Sequence, residues 1–191
     1  GNHEFDYGMD RFMELAELAE TKEDGYGYVY YQKGATKAIA ATEYVTLDAL
    51  LADAGASFGE GDKLAFTCSD GPYTKGDFSY EDLSGRGVDA SGSTVPTAVA
   101  LCWSSGTIED ESSFATIVAA AEDTGNLRFV SGMTEAEATD SSARGNRMPS
   151  GLVSITVVKP AEAEPAALEL YTQIGEAEPE LIKSYKRSEE R

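Results

Sequence analysis

Two rhythms of apolar positions divide the chain. Met9, Phe12, Met13 and Ala16 recur at i, i+3, i+4 and i+7, with Leu15, Leu18 and Ala19 widening the stripe. That spacing predicts an amphipathic helix over 8–20. Thr21-Lys22-Glu23-Asp24-Gly25 breaks the period, and the aromatic, β-branched run Tyr26–Tyr31 then predicts a strand. Gly34 turns that strand back into Thr36–Ala41 as a hairpin. Thr46 is an N-cap for a short helix carrying Leu47, Leu50 and Leu51, which Gly55 ends. Lys63–Cys68 predicts a strand leading into the turn Ser69-Asp70-Gly71-Pro72. Phe78–Leu83 predicts one helical turn, and Ser84–Thr94, rich in Gly and Ser, a surface loop. Thr97–Trp103, Leu127–Val130 and Gly151–Val158 predict strands, the last with an alternating Val153, Ile155, Val157 face. Thr134–Arg147 is polar and reads as a mobile excursion, while Ala167–Ile174 predicts a further strand. Leu181–Arg191 has few apolar anchors.

The expected class is therefore α+β, with a mixed, β-rich core and short helices, preceded by the amphipathic helix. Three segments follow: residues 1–24, a domain over 25–159, and 160–191, where Pro160 and Pro165 flank an Ala/Glu linker. The tail reads as the opening of another unit. A length of 191 residues suits one ordinary domain plus a small extra element.

Charge narrows the partners. With 15 Lys+Arg against 34 Asp+Glu, the net charge is -19. A chain so acidic repels phosphate backbones, so no nucleic-acid partner is expected. No apolar run reaches the 18 residues needed for a membrane span. The start at Gly1, without a leader pattern, suggests an excised or processed fragment. Cys68 and Cys102 sit in strand-like apolar runs and are expected as buried free thiols, with one disulfide as the open alternative.

The first eight residues, Gly1-Asn2-His3-Glu4-Phe5-Asp6-Tyr7-Gly8, resemble the GNHEFDYG signature of 5′-nucleotidase-type metallophosphoesterases, and the likeness runs to about residue 20. The resemblance implies that Asn2 ligates one metal of a two-metal centre. It gives His3 the role of stabilising charge on the phosphoryl group. The divalent metals implied for a complete parent enzyme are manganese or zinc. A two-metal site must clamp both the attacking and the leaving oxygen. The family builds it from an upstream Asp-x-His and Gly-Asp-x-x-Asp and a downstream Gly-His-Thr-His, whereas His3 is the only histidine of this chain. This chain alone is expected to bind no such centre and to be no self-sufficient hydrolase.

The body of the chain is similar to a second family. Val45–Gly55, Leu64–Gly71, Val95–Leu101, Asp123–Val130 and Gly151–Val158 resemble segments of the molybdopterin-binding domain of sulfite-oxidase-type oxidoreductases, a likeness covering residues 28–158. That resemblance implies a molybdenum-ligating cysteine before the Leu47–Leu51 helix, yet Tyr26–Tyr44 contains none. The cofactor is therefore expected to be lost with the fold kept, leaving a binding or spacer module. Arg86, Arg128, Arg144 and Arg147 are read as surface or loop arginines, with phosphate contact as the alternative. Tyr26, Tyr28, Tyr30 and Tyr31 are read as a strand with one aromatic face in the core, a sugar- or peptide-binding face being the alternative. Glu109-Asp110-Glu111 is read as a solvated charge cluster, with weak calcium binding as the alternative.

Two readings stay open. The first is a non-catalytic module of an exported multidomain bacterial protein, whose partner is another protein or a cell-surface ligand. The second is a fragment of a 5′-nucleotidase that hydrolyses phosphate esters only when completed by further segments. The Leu168–Thr172 strand beyond the linker is further expected to pair with a neighbouring chain, by swapping or edge addition.

Overall fold

A computed structural model describes residues 3–6, 15–160, 168–172 and 180–185; for 3–6 and the two C-terminal stretches it describes the backbone only. Asn2 and the helical anchors Met9, Phe12 and Met13 lie outside the described residues, as do 161–167 of the linker and 186–191. The chain divides into two compact units, residues 1–159 and 160–191.

The larger unit is α+β, and most of its residues in regular structure lie in two antiparallel sheets. One sheet runs in the order β1 (His3–Asp6), β8 (Leu152–Val158), β4 (Lys63–Cys68), β5 (Gly71–Pro72). The other runs β2 (Glu20–Gln32), β3 (Ala35–Thr46), β6 (Ala98–Thr107), β7 (Arg128–Val130). Four short helices, α1 (Leu47–Asp53), α2 (Tyr80–Ser84), α3 (Ser113–Ala119) and α4 (Glu135–Asp140), and a 3-10 turn at Gly145–Arg147 complete its regular elements among the residues from Glu20 to Pro160. No helix is long and apolar enough to cross a membrane among the described residues.

The strands alternate as the pleat requires. On β6, Val99 and Leu101 join a core shared with Leu64, Phe66 and Ile155 of the other sheet. Ala98 and Ala100 point into a second cluster with Tyr28, Ile39 and Val130. Three rings lock the shared core, with Phe66 centroids 4.6 Å from Phe78 and 4.7 Å from Phe129. Thr46 caps α1 by accepting from the Ala49 amide at 3.2 Å, and Leu47, Leu50 and Leu51 are buried.

Three expectations need correction. Residues 15–18 are helical, but Glu20 already begins a strand, so the helix stops short of its expected end. Thr21–Gly25 lies beyond the helix, as expected, yet the strand expected from Tyr26 already runs through it. It forms a bulge within β2, where pairing slips from Thr21↔Glu43 to Tyr26↔Ala41 and Gly25 takes φ 64°. Thr134–Arg147 is structured rather than an open excursion. Thr134 and Glu137 form a reciprocal capping box on α4, and Ala143 is buried. Helix α3, which the sequence reading passed over, covers β3 and β6; an added Cβ on Gly106 would meet Ile117 Cγ1 at 2.8 Å.

In the smaller unit, β9 (Leu168–Thr172) pairs antiparallel with β10 (Glu180–Tyr185) of the same chain. The expected C-terminal strand thus finds one partner locally.

Candidate functional site

Four segments of the larger unit converge on a cleft of about 480 Å³. The end of β2 and its turn supply Tyr30, Tyr31, Gln32 and Lys33; the segment after β5 supplies Tyr73 and Lys75. Arg128 opens β7, Arg144 leads into the 3-10 turn, and Gly145 and Asn146 lie in it. Among the described residues, no aspartate or glutamate lines it.

The walls are fixed by contacts that the fold itself makes. Tyr73 donates its hydroxyl to the Asn146 carbonyl at 2.6 Å, and the Tyr31 amide donates to the Ala143 carbonyl at 2.8 Å. Gly145 lies so close to Tyr30 that a Cβ there would meet the ring at 2.7 Å. Only a residue without a side chain lets the 3-10 turn pack on that ring.

Arg128 is the centre of the arrangement. Its guanidinium carbon lies 4.6 Å from the Trp103 ring centroid, and the indole donates to the Asn126 carbonyl at 2.6 Å. Its Nε is buried and has no hydrogen-bond partner among the described residues. Burial lowers the Arg128 pKa, opposed by Tyr30 and Tyr73, and burial likewise raises that of the Tyr73 phenol. Among the described residues, Lys33, Lys75, Arg128 and Arg144 form no ion pair.

Arg86 lies in a loop and Arg147 in the 3-10 turn, within the expected surface or loop class, but both behave differently from Arg128 and Arg144. The Arg86 side chain is 3% exposed and forks onto Glu137 at 2.7 and 2.9 Å. Arg147 donates to both oxygens of Asp82, which also accepts from Arg86 Nε. Both arginines are consumed in a structural network. The four tyrosines also part company. Tyr28 is fully buried, donating to the Pro96 carbonyl at 2.6 Å, and Tyr26 packs edge-on against Tyr44 at 5.3 Å. Tyr30 and Tyr31 alone of the four reach the cleft.

Of the motif residues, His3 lies in β1 opposite Val157, and Asn2 lies outside the described residues. No group of three or more His, Cys, Asp or Glu poised to hold a metal occurs among the described residues. Cys68 and Cys102 are free thiols on β4 and β6; Cys68 is buried and Cys102 half-buried. Asp110 of the acidic cluster is a turn organiser, accepting from Ser112 and Ser113, whose hydrogen bonds hold its carboxyl below the usual range.

No protein family, curated protein or solved structure matches this chain.

Sequence reasoning missed Lys33, Tyr73, Lys75 and Asn146 as neighbours. One signal was available: a lysine before Gly34 in a two-residue hairpin turn, where asparagine or aspartate is the usual choice. The rest is brought together by pairing between distant strands and has no local signature.

Proposed function

We propose that residues 25–159 form a non-catalytic binding module of a longer exported polypeptide, with a sulfite-oxidase-like fold from which the molybdopterin site has been lost. The donor set speaks against the cofactor. Molybdenum at high oxidation state calls for a thiolate, and the hairpin carrying Tyr26–Tyr44 offers no sulfur. Burial, with Asp70 nearby, raises the Cys68 pKa and so disfavours its thiolate. The residues present do not fit the group.

The observation that carries the reading is the cation–tyrosine cleft, a recess with no acid among its described lining residues in a chain of net charge -19. Such a recess attracts small anions while the surrounding surface repels polyanions. The test is a titration of the labelled protein with carboxylates, phosphates and sulfates, followed by amide NMR. Shifts centred on Lys33, Tyr73, Arg128 and Gly145 are expected for at least one class. Silence at these residues with every class overturns the reading.

A further inference from the structure

We infer that this cleft takes the phosphate or sulfate ester of a ring-bearing small molecule, with the ester group among the cations and the ring on the tyrosines. The inference rests on the binding-module reading and names its ligand.

Charge is the first argument. The cleft gathers four of the 15 Lys+Arg of the chain and, among the described residues, no Asp or Glu. Acidic side chains outnumber basic ones more than two to one, so a recess whose described lining holds no acid is not what the composition alone produces. Charges of one sign drawn from four separate segments make this recess favourable for an anion.

Arg128 supplies the second. A buried donor without a partner is rare in folded proteins and calls for an explanation. Here Nε of Arg128 is buried and unpaired among the described residues while Trp103 holds the guanidinium plane. A guanidinium offers five donors in a fixed fork and accepts nothing, so the missing partner is an acceptor.

Geometry then selects the head group. A carboxylate is planar, and a single arginine fork satisfies it. The cations of this cleft come from the β2–β3 turn, the segment after β5, the start of β7 and the residue leading into the 3-10 turn. A tetrahedral ester offers three oxygens in three directions and suits converging donors better. Tyr30, Tyr31 and Tyr73 add flat surfaces that a sugar or aromatic ring can cover. The volume of about 480 Å³ falls within the range of small-molecule sites, about 300–1,000 Å³.

Calorimetric titration of the full chain with glucose 6-phosphate, glucose 6-sulfate, glucuronate and glucose tests the inference. At least one of the two esters should bind about tenfold more tightly than glucuronate, with no heat from glucose, and added salt should weaken the binding. The two ester arms tell phosphate from sulfate. Arg128→Leu should reduce ester affinity by about tenfold or more. The double variant Lys33→Asn/Lys75→Gln changes two exposed side chains, so it should weaken binding with the fold intact by circular dichroism. Glucuronate binding as tightly as both esters overturns the ester assignment and leaves the module reading standing. Ester binding that survives both variants unchanged overturns the assignment to this cleft, and no heat from either ester overturns the inference outright.

Discussion

Two groups of arginines in this chain live under opposite rules. Arg86 and Arg147 are tied to Asp82 and Glu137, so each guanidinium meets a carboxylate and the network closes on itself. Among the described residues, Arg128 and Arg144 line a cleft with two lysines and no acid, and Arg128 keeps a buried donor without a partner. The closed network fastens the loop after α2 to α4, a job that needs saturation. A binding site needs the reverse, donors whose partner arrives from outside. Partnering, more than burial, tells the two groups apart: Arg86 and Arg128 are both withdrawn from solvent.

The largest effect expected from this contrast is at Arg86. Arg86→Met strips Glu137 of its fork and Asp82 of one donor. Removing one partner of a withdrawn ion pair costs about 3 kcal/mol or more. Urea unfolding should show the loss, and Arg86→Met/Glu137→Gln, which removes the uncompensated charge while keeping a capping-box side chain, should recover part of it. A change below about 1 kcal/mol would erase the distinction between the two groups.

Asp62 and Lys159 give a smaller test of the same rule. Lys159 donates to Asp62 at 2.7 Å and to the Ser57 carbonyl at 2.8 Å. The Lys159 hydrogen bond, with one from the Gly59 amide, holds the buried Asp62 carboxyl below its ordinary 3.8. A folded-state pKa that is depressed contributes stability above the unfolded value and loses it as pH falls through the folded one. Lys159→Met should therefore be less stable than the parent at neutral pH. The gap should close as the pH drops below 3.8. A gap constant down to full acid unfolding would show that the pair adds nothing through charge.

Arg128→Leu sharpens the contrast from the other side. It forfeits the stacking on Trp103, about 1 kcal/mol, and removes a buried donor, unpaired among the described residues, that opposes folding. The two nearly offset, so the thermal midpoint should stay within a few degrees of the parent while ester affinity falls. A collapse like that of Arg86→Met would place Arg128 among the structural arginines.

Local signals carried most of the fold. The Tyr26–Tyr31 and Thr36–Ala41 runs, the Thr46 cap and the Val153–Val157 alternation all depend on near neighbours, and each appears where its pattern puts it. Failures came where tertiary contact decided. The bulge at Gly25 hides in a polar stretch because β3 continues the pairing across it. Helix α3 is a single short segment, Ser113–Ala119, whose stability comes from packing over Gly106. The cleft was legible in pieces only. Arg128, Arg144 and two tyrosines were visible as residues, but their meeting with Tyr73 and Lys75 needs both sheets in place.

The smallest effect separates binding from folding most directly. Lys33 and Gly34 form the β2–β3 turn with φ of 52° and 79°, a conformation that favours Asn-Gly. A lysine there carries a left-handed backbone of the kind that is unfavourable for L residues. Lys33→Asn should therefore raise stability by up to about 1 kcal/mol, read as a higher urea midpoint. The same substitution removes one cation from the cleft and should weaken ester binding several-fold. Stability and affinity moving in opposite directions is the mark of a residue kept for its ligand at the expense of the fold. If Lys33→Asn leaves both unchanged, the lysine is incidental, and the cleft rests on Lys75, Arg128 and Arg144.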